Sequence, residues 1–458
     1  MEKRYEVVIV GGGLSGLSAA HFMRTLTPGR TVLVIEKSAR PGGAVQTFKE
    51  GGFQGEWGPH GFLDNTPESQ ELLHDTGLYD EAQAAPLGDF YRYVCHGGKL
   101  LRLPQSLKTV LATPLVSTLG KLRVLAELWK SPQAQAMTIG EWVEYRFGRE
   151  LLPLVDAAVT GSFAGDYTKL CIDAVMPGVR KLEMEAGSVI RGLIRRKRSG
   201  DGKKLGRLPS MLNFPEGMER LVKVLSARQE VAYNTLVQGV ARQQEGWLIQ
   251  TDQGPVIGEQ VVLALPVNPC LQLLSSFKAP PIACVPVSKI INVVMGFSGA
   301  AKVPYGFGYL APEREGRFTL GAMFTSHMFP DRAPRGQVLI EALVGGRRHP
   351  ERLILSDEEL VEGVYADLSQ LLELPEPPLF VKVLRPEHGI PQLEMDHPRL
   401  LAWRQGMEQE FAGLHICGFG WDGIGMNDMI KSAKKTVEAI RAGGLRSEDE
   451  AKVKPVYF

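Results

Sequence analysis

A chain of 458 residues is too long for one ordinary hydrophobic core and points to two or three compact units. Its 44% apolar and 22% charged residues suit a soluble globular protein, and a net charge of +1 gives no overall field to attract nucleic acid. Its five cysteines (95, 171, 270, 284, 417) are scattered, with no CxxC pair or Cys/His cluster, which reads as reduced thiols in a cytoplasmic protein and argues against a metal site.

No charged-then-apolar leader opens the sequence, because a strand begins within a few residues of Met1. Glu6–Val10 is a short β-branched run of the kind that forms a buried parallel strand. It runs into Gly11-Gly12-Gly13-Leu14-Ser15-Gly16, where Gly11, Gly13 and Gly16 fill a G-x-G-x-x-G frame. Such glycines serve a tight turn, close approach to a pyrophosphate and close helix–strand packing. Leu17, Ala20, Met23 and Leu26 continue at helical spacing, so the helix would aim its N-terminal amides at a phosphate. Thr31–Ile35 is the next strand, and Glu36 ends it where an acid can hydrogen-bond a ribose hydroxyl and repel a 2′-phosphate. Strand, glycines, helix, strand and acid in this order specify a dinucleotide site.

The next segments separate FAD from NAD. Ser38-Ala39-Arg40-Pro41-Gly42-Gly43 and Glu56-Trp57-Gly58-Pro59 resemble the phosphate- and flavin-facing segments of the amine-oxidase-like flavoproteins. Further on, Leu103–Lys130 is apolar and proline-punctuated, with Lys108, Lys121 and Arg123 but no acid before Glu127. It reads equally as an amphipathic segment lying on anionic lipid or as a helix packed in its own domain; no apolar run is long enough to span a bilayer. Arg195-Arg196-Lys197-Arg198 and Lys203-Lys204 form a basic run without aromatic residues, read as a solvated loop and not a nucleic-acid site. Strands are expected at 236–240, 247–251, 256–265 and 414–417, the last followed by Gly418-Phe419-Gly420-Trp421-Asp422-Gly423 and a helix.

Four motifs carry a closer resemblance. Gly58-Pro59-His60-Gly61-Phe62-Leu63-Asp64, Gly161-Ser162-Phe163-Ala164-Gly165-Asp166, Phe329-Pro330-Asp331-Arg332-Ala333-Pro334 and Gly423-Ile424-Gly425-Met426-Asn427-Asp428 resemble signatures of the FAD-dependent porphyrinogen oxidases. The resemblance extends from about residue 5 to about residue 442. It departs at Gly418-Phe419, where many members have Gly-Asn, and at Ile340, aligned with a position that is aromatic in some members.

This resemblance implies an α/β protein: a Rossmann-type FAD-binding domain (1–88, 205–283, 406–445), a mainly helical, membrane-associating domain (89–204), a mixed α+β substrate domain (284–405) and a tail (446–458). It implies non-covalent FAD held by Gly11, Gly13, Leu14, Ser15, Gly16, Glu36, Lys37, Arg40, Gly42 and Gly43. Trp57, Gly58, Pro59, His60, Val237, Trp421, Gly423, Ile424, Gly425 and Met426 would complete the cofactor site, although Val237 reads equally as strand core. His60 reads as a base or a structural hydrogen-bonding residue, and Asp422 is open in the same way. Arg92 would grip a propionate, Phe307, Leu320 and Ile340 would wall the macrocycle, and Gly161 would offer a carbonyl.

The implied reaction is oxidation of protoporphyrinogen IX by hydride removal to flavin, with dioxygen reoxidising the flavin to give hydrogen peroxide. Coproporphyrinogen III as substrate, a flavin amine oxidase and a non-catalytic porphyrin carrier are the alternatives. Beyond substrate and dioxygen, the expected partners are the cytoplasmic face of a membrane, a ferrochelatase receiving product and a second copy of the chain.

Overall fold

The computed structural model describes residues 3–104, 109, 112–198 and 208–446; Lys108, Lys203, Lys204 and the tail beyond Arg446 lie outside them. β1 (Lys3–Val10), α1 (Leu14–Leu26) and β2 (Val32–Ile35) follow one another as the sequence pattern requires. β1 lies inside a seven-stranded sheet, parallel to β2 on one side and to Val256–Ala264 on the other. Leu414–Cys417 pairs parallel with Val256–Ala264, and the short strand Val231–Ala232 pairs parallel with β2. Gly246–Thr251 and Val237–Gln243 extend the sheet in antiparallel fashion.

β1 is apolar at successive positions because both faces of its sheet are covered. Val7 and Ile9 enter one core with Leu17, Phe22 and Ile430, while Val8 and Val10 enter another with Trp247, Leu271 and Leu400. Burying each such side chain contributes about 1.5–3 kcal/mol. Leu400 and Met407 belong to the helix His397–Glu410, so the expected boundary at 405 would cut a helix that packs on the flavin-side sheet.

A second seven-stranded sheet runs Phe380–Leu384, Ile290–Phe297, Val338–Gly345, Gly321–Met323, Gly308–Leu310, Arg92–His96 and Lys99–Arg102. The last two strands correct the expectation that 89–204 forms one mainly helical unit. Residues 92–102 are a hairpin that completes the second sheet by pairing in parallel with Gly308–Leu310. One face of this sheet is sealed by the helix Asp357–Ser369, whose Leu360, Val364 and Leu368 pack on Val293, Met295, Tyr309, Ala322 and Ile340.

The fully described helices of the 89–204 stretch lie within 118–198. They are tied together by Arg146, which bonds Glu127 at 3.1 Å and also bonds Glu183, all three side chains being fully buried. Trp142 Nε1 and Arg180 Nη1 donate to the same Glu183 carboxylate, each at 2.6 Å. Burial alone would raise the Glu183 pKa, but these donors hold it below the ordinary carboxylate value. No described helix is long and apolar enough to cross a membrane.

Candidate active site between the two sheets

The parallel strands of the first sheet end along one edge. Val10 is in register with Ile35 and Leu263, Ile35 with Ala232, and Ala264 with Cys417. Gly11–Gly13, Glu36 and Gly418 follow directly at that edge, where an open α/β sheet presents its ligand crevice. α1 and the helix Met426–Ala442 begin there too, their Leu14, Leu17, Met426 and Ile430 sharing one core. Two helix N-termini thus meet the same crevice, a setting that favours an anion.

The glycine frame passes a physical test for a pyrophosphate. A Cβ on Gly16 would lie 1.9 Å from the Gly11 carbonyl oxygen, so only glycine lets α1 pack this closely on β1. A Cβ on Gly13 would meet no atom within 4 Å, so its bare backbone faces open space. Leu14 and Ser15 are buried in the first turn of α1. Gly42 donates its amide to the Gly12 carbonyl at 2.8 Å, and Arg40 binds the Gly43 carbonyl at 2.7 Å, which joins segment 40–43 to the cradle.

Glu36 accepts from the Gly12 and Ser38 amides, both at 2.8 Å, which fixes its carboxylate at the end of β2. Lys37 is exposed beside it, and Val237 is half-buried, two residues past Thr235, whose amide donates to the Glu36 carbonyl. On the other side, Gly425 caps the helix Met426–Ala442 and donates to Asp428 at 3.2 Å, with Gly423 and Ile424 just before it.

One feature of the last loop differs from expectation, and a second decides a reading left open. Trp421 has no exposed surface; its ring is packed in the core with Val267, Cys270 and Leu400, and so it forms no aromatic wall beside a flavin. Asp422 is a structural clasp. It takes a forked contact from Arg404 at 2.9 and 2.8 Å and another from Arg446 at 2.9 Å, and these arginines hold its pKa well below the ordinary value against burial.

Trp57, Gly58, Pro59 and His60 carry the chain from the cradle to the second sheet. A Cβ on Gly58 would strike the Ala44 carbonyl oxygen at 2.2 Å, while Trp57 packs beside Phe53, Val294 and Leu339. His60 reaches Glu341 with Nε2 at 2.9 Å, and its own carbonyl accepts from Asn213 at 2.9 Å. Its neighbour Glu56 is buried, and that burial raises its pKa even though Thr47 donates to it at 2.6 Å.

The face of the second sheet turned away from Asp357–Ser369 carries the proposed substrate residues. Alternation sends Tyr93, Tyr309, Ala322, Ile340 and Ala342 into the helix-covered core, and therefore Arg92, Leu310, Met323, Glu341 and Leu343 to the opposite face. Ile340, expected as a pocket wall, is thus on the wrong face and fully buried. Leu343, partly exposed, lies on the open face one strand from Gly321 and two from Leu310; period-two alternation along Val338–Gly345 was the available signal for it.

Leu320 donates its amide to the Leu343 carbonyl at 2.8 Å, and Phe307 is half-buried beside Phe90 and Met323. Gly161, exposed in the helix Leu152–Phe163, lies over Leu310, which a Cβ there would contact at 2.7 Å. Gly308 and Gly321 contribute no side chain to this face, which leaves a shallow trough there, and neither tolerates a Cβ, which would strike a backbone oxygen of the paired strand at 2.2 or 2.4 Å. Arg92 is half-buried at the trough's edge, its Nε enclosed and without a partner among the described residues. Burial alone lowers its pKa, and no carboxylate among the described residues pairs with it.

Residues 14–441 match the family described as flavin containing amine oxidoreductase. The chain belongs to that family. Within it, protoporphyrinogen oxidase 1, chloroplastic, from Arabidopsis thaliana is 30% identical, covering 94% of this chain and 87% of the relative. Coproporphyrinogen III oxidase from Staphylococcus aureus is 27% identical, covering 95% and 99%. A solved structure from Exiguobacterium sp. 255-15, described as a candidate protoporphyrinogen oxidase, superposes with a TM-score of 0.80 at 24% identity, covering 96% of this chain and 99% of that one. The last of these shows the fold. The cofactor of this family member is FAD, and the glycine cradle, Glu36 and the two converging helix N-termini fit it.

Proposed function

We propose that this chain oxidises protoporphyrinogen IX to protoporphyrin IX in haem or tetrapyrrole biosynthesis. The observation that carries the proposal is Arg92, a half-buried guanidinium without an acidic partner among the described residues, beside a flat apolar trough. An apolar macrocycle with a carboxylate arm supplies what that environment lacks. Arg92 grips the propionate through its planar fork, while Phe307, Leu310, Leu320 and Leu343 wall the ring.

FAD, when bound, supplies the two-electron acceptor. Around it, Gly11, Gly13, Leu14, Ser15, Gly16 and segment 40–43 would hold the pyrophosphate, and Glu36 with Lys37 and Val237 would border the adenosine end. Segment 57–60 and residues 423–426 would enclose the ring end. In each of three cycles the macrocycle loses a hydride and a proton, which pass to dioxygen as hydrogen peroxide; six electrons leave in all. The protein's contribution is to hold one meso carbon at the acceptor and keep water away.

Coproporphyrinogen III is the second reading, supported by the name of the Staphylococcus aureus relative. Purified yellow protein, incubated in air with each porphyrinogen in turn, tests both. Porphyrin fluorescence rising well above autoxidation, with matching peroxide, is the expected result, and the faster substrate identifies the step. No rise with either substrate, together with peroxide release on amines, would overturn the proposal in favour of an amine oxidase.

Peripheral docking on a membrane belongs to the same proposal. Its support is a row of more than half-exposed apolar side chains, Leu119, Leu122, Leu125 and Trp129, on Thr118–Leu125 and the turn after it. Beside the glutamate at 127 lies the acid-free basic helix Val189–Arg198 with Leu193 and Ile194 exposed. Product hand-off to a ferrochelatase and a homodimer complete the proposal.

A further inference from the structure

The pocket holds a polar group that neither grips a carboxylate nor touches the pyrophosphate cradle. Glu341 is fully buried, and its Oε2 lies 2.9 Å from His60 Nε2 and accepts from Asn292 Nδ2 at 2.6 Å. Its Oε1 accepts from Thr325 Oγ1 at 2.8 Å. A carboxylate so deeply buried needs partners of this kind to stay charged. The other ring nitrogen of His60, Nδ1, bonds no described residue and is not among the enclosed unpartnered atoms, and the side chain is 15% exposed. The imidazole is therefore clamped at one nitrogen and open at the other.

The sheet places this pair relative to Arg92. Arg92, Gly308, Met323 and Glu341 are cross-strand neighbours in one row of the sheet. At ~4.8 Å per strand, Arg92 and Glu341 stand about 14 Å apart across the glycine trough. A tetrapyrrole anchored by one propionate at Arg92 would reach across this trough toward His60.

We infer that His60 is the proton acceptor for the macrocycle and that Glu341 is the residue that positions it; the inference rests on the porphyrinogen reading above. Breaking a meso C–H bond with its electron pair going as hydride to FAD, which would supply the acceptor, would leave the macrocycle cationic. A pyrrole N–H bond then breaks, its electron pair stays on nitrogen, and the proton bonds to the lone pair of His60 Nδ1. Glu341 keeps the proton on Nε2, so the free lone pair is on Nδ1, and it stabilises the resulting imidazolium. The imidazolium passes the proton to water.

The charges around His60 are consistent with this role. Burial works against its protonation, but the charge and hydrogen bond of Glu341, from Val338–Gly345, outweigh it, helped by Glu56 from Phe53–Glu56 and opposed by Arg332 from the turn Pro330–Arg332. Asn292, Thr325 and Asn213 are the neutral polar neighbours. The net effect places the His60 pKa above the ordinary value. Proton acceptance then fails as pH falls through that raised value.

The test mixes FAD-loaded protein with porphyrinogen without oxygen and follows flavin bleaching against pH. Wild type should slow on the acid side with a midpoint above about 6.5. His60→Gln should be about 100-fold slower per bound flavin and lose that midpoint, and Glu341→Gln should move it to lower pH. NMR titration of the histidines in substrate-free holoprotein, assigned by loss of a signal in His60→Gln, should show the same two midpoints. An unchanged rate and pH profile in His60→Gln would overturn the inference. So would a changed flavin potential with an unchanged profile, which marks an electrostatic effect on the cofactor. A wild type that bleaches with neither porphyrinogen overturns the porphyrinogen reading, and the NMR titration, which needs no substrate, separates that failure from failure of the pair.

Discussion

Arg92 is placed by a strand that the sequence did not mark as one, yet its chemistry was readable from its type. A half-buried guanidinium whose enclosed Nε has no partner among the described residues loses hydration without regaining that hydrogen bond. A bound carboxylate would restore it for about 1.5–3 kcal/mol. Arg92→Ala should therefore raise KM roughly tenfold to a hundredfold with a smaller change in kcat; an unchanged KM would remove the propionate from this residue. Trp421 and Ile340 show the opposite case. Both are large apolar residues in motif-bearing segments, and which way a ring or a branched chain points is decided by packing on the other side of the backbone. Neither has exposed surface.

At the scale of elements, the turn from β1 to α1 is the part most strictly set by local sequence. Gly16→Ala would press a methyl into the Gly11 carbonyl, so the turn must open. We expect that variant to lose bound flavin and about 1–3 kcal/mol of stability, read from flavin absorbance and urea unfolding. The segment 118–129 makes a different prediction, because its apolar row is exposed. In a flotation assay at low salt, wild type should rise with vesicles containing anionic lipid, while Leu119→Glu with Leu122→Glu should stay in the protein fraction with porphyrinogen turnover in detergent retained. Wild type absent from the lipid fraction would remove membrane docking.

For the whole molecule, acid stability should be governed by two buried histidines beside the last strand of the flavin-side sheet. Burial lowers both His397 and His415 to about 4, with Nε2 of His397 2.9 Å from the Trp421 carbonyl and His415 3.0 Å from Gln260. Unfolded histidine binds its proton near pH 6.5, so the unfolded state takes up protons first as pH falls. Stability is thus intact above about pH 6.5 and is lost down to about pH 4, by on the order of 3 kcal/mol for each histidine. Urea unfolding at pH 7.5 and pH 5 should show this loss, and His397→Asn with His415→Asn should flatten it; a pH-independent stability in wild type would refute it.

The sequence by itself determined the parts built from near neighbours. The β1–α1–β2 order, the glycine frame, Glu36 and the strand–glycine–helix close at 414–442 depend on backbone sterics and apolar period, which act over a few residues and leave a readable pattern. The family resemblance rested on equally local motifs. Tertiary structure alone decided that the hairpin at 92–102 joins a sheet whose other strands lie beyond residue 289, that Leu343 and not Ile340 faces the trough, and that His60 meets Glu341 across 281 positions of chain. Those outcomes depend on strand pairing and on which face of a sheet is sealed, and such choices are made only when distant segments pack together.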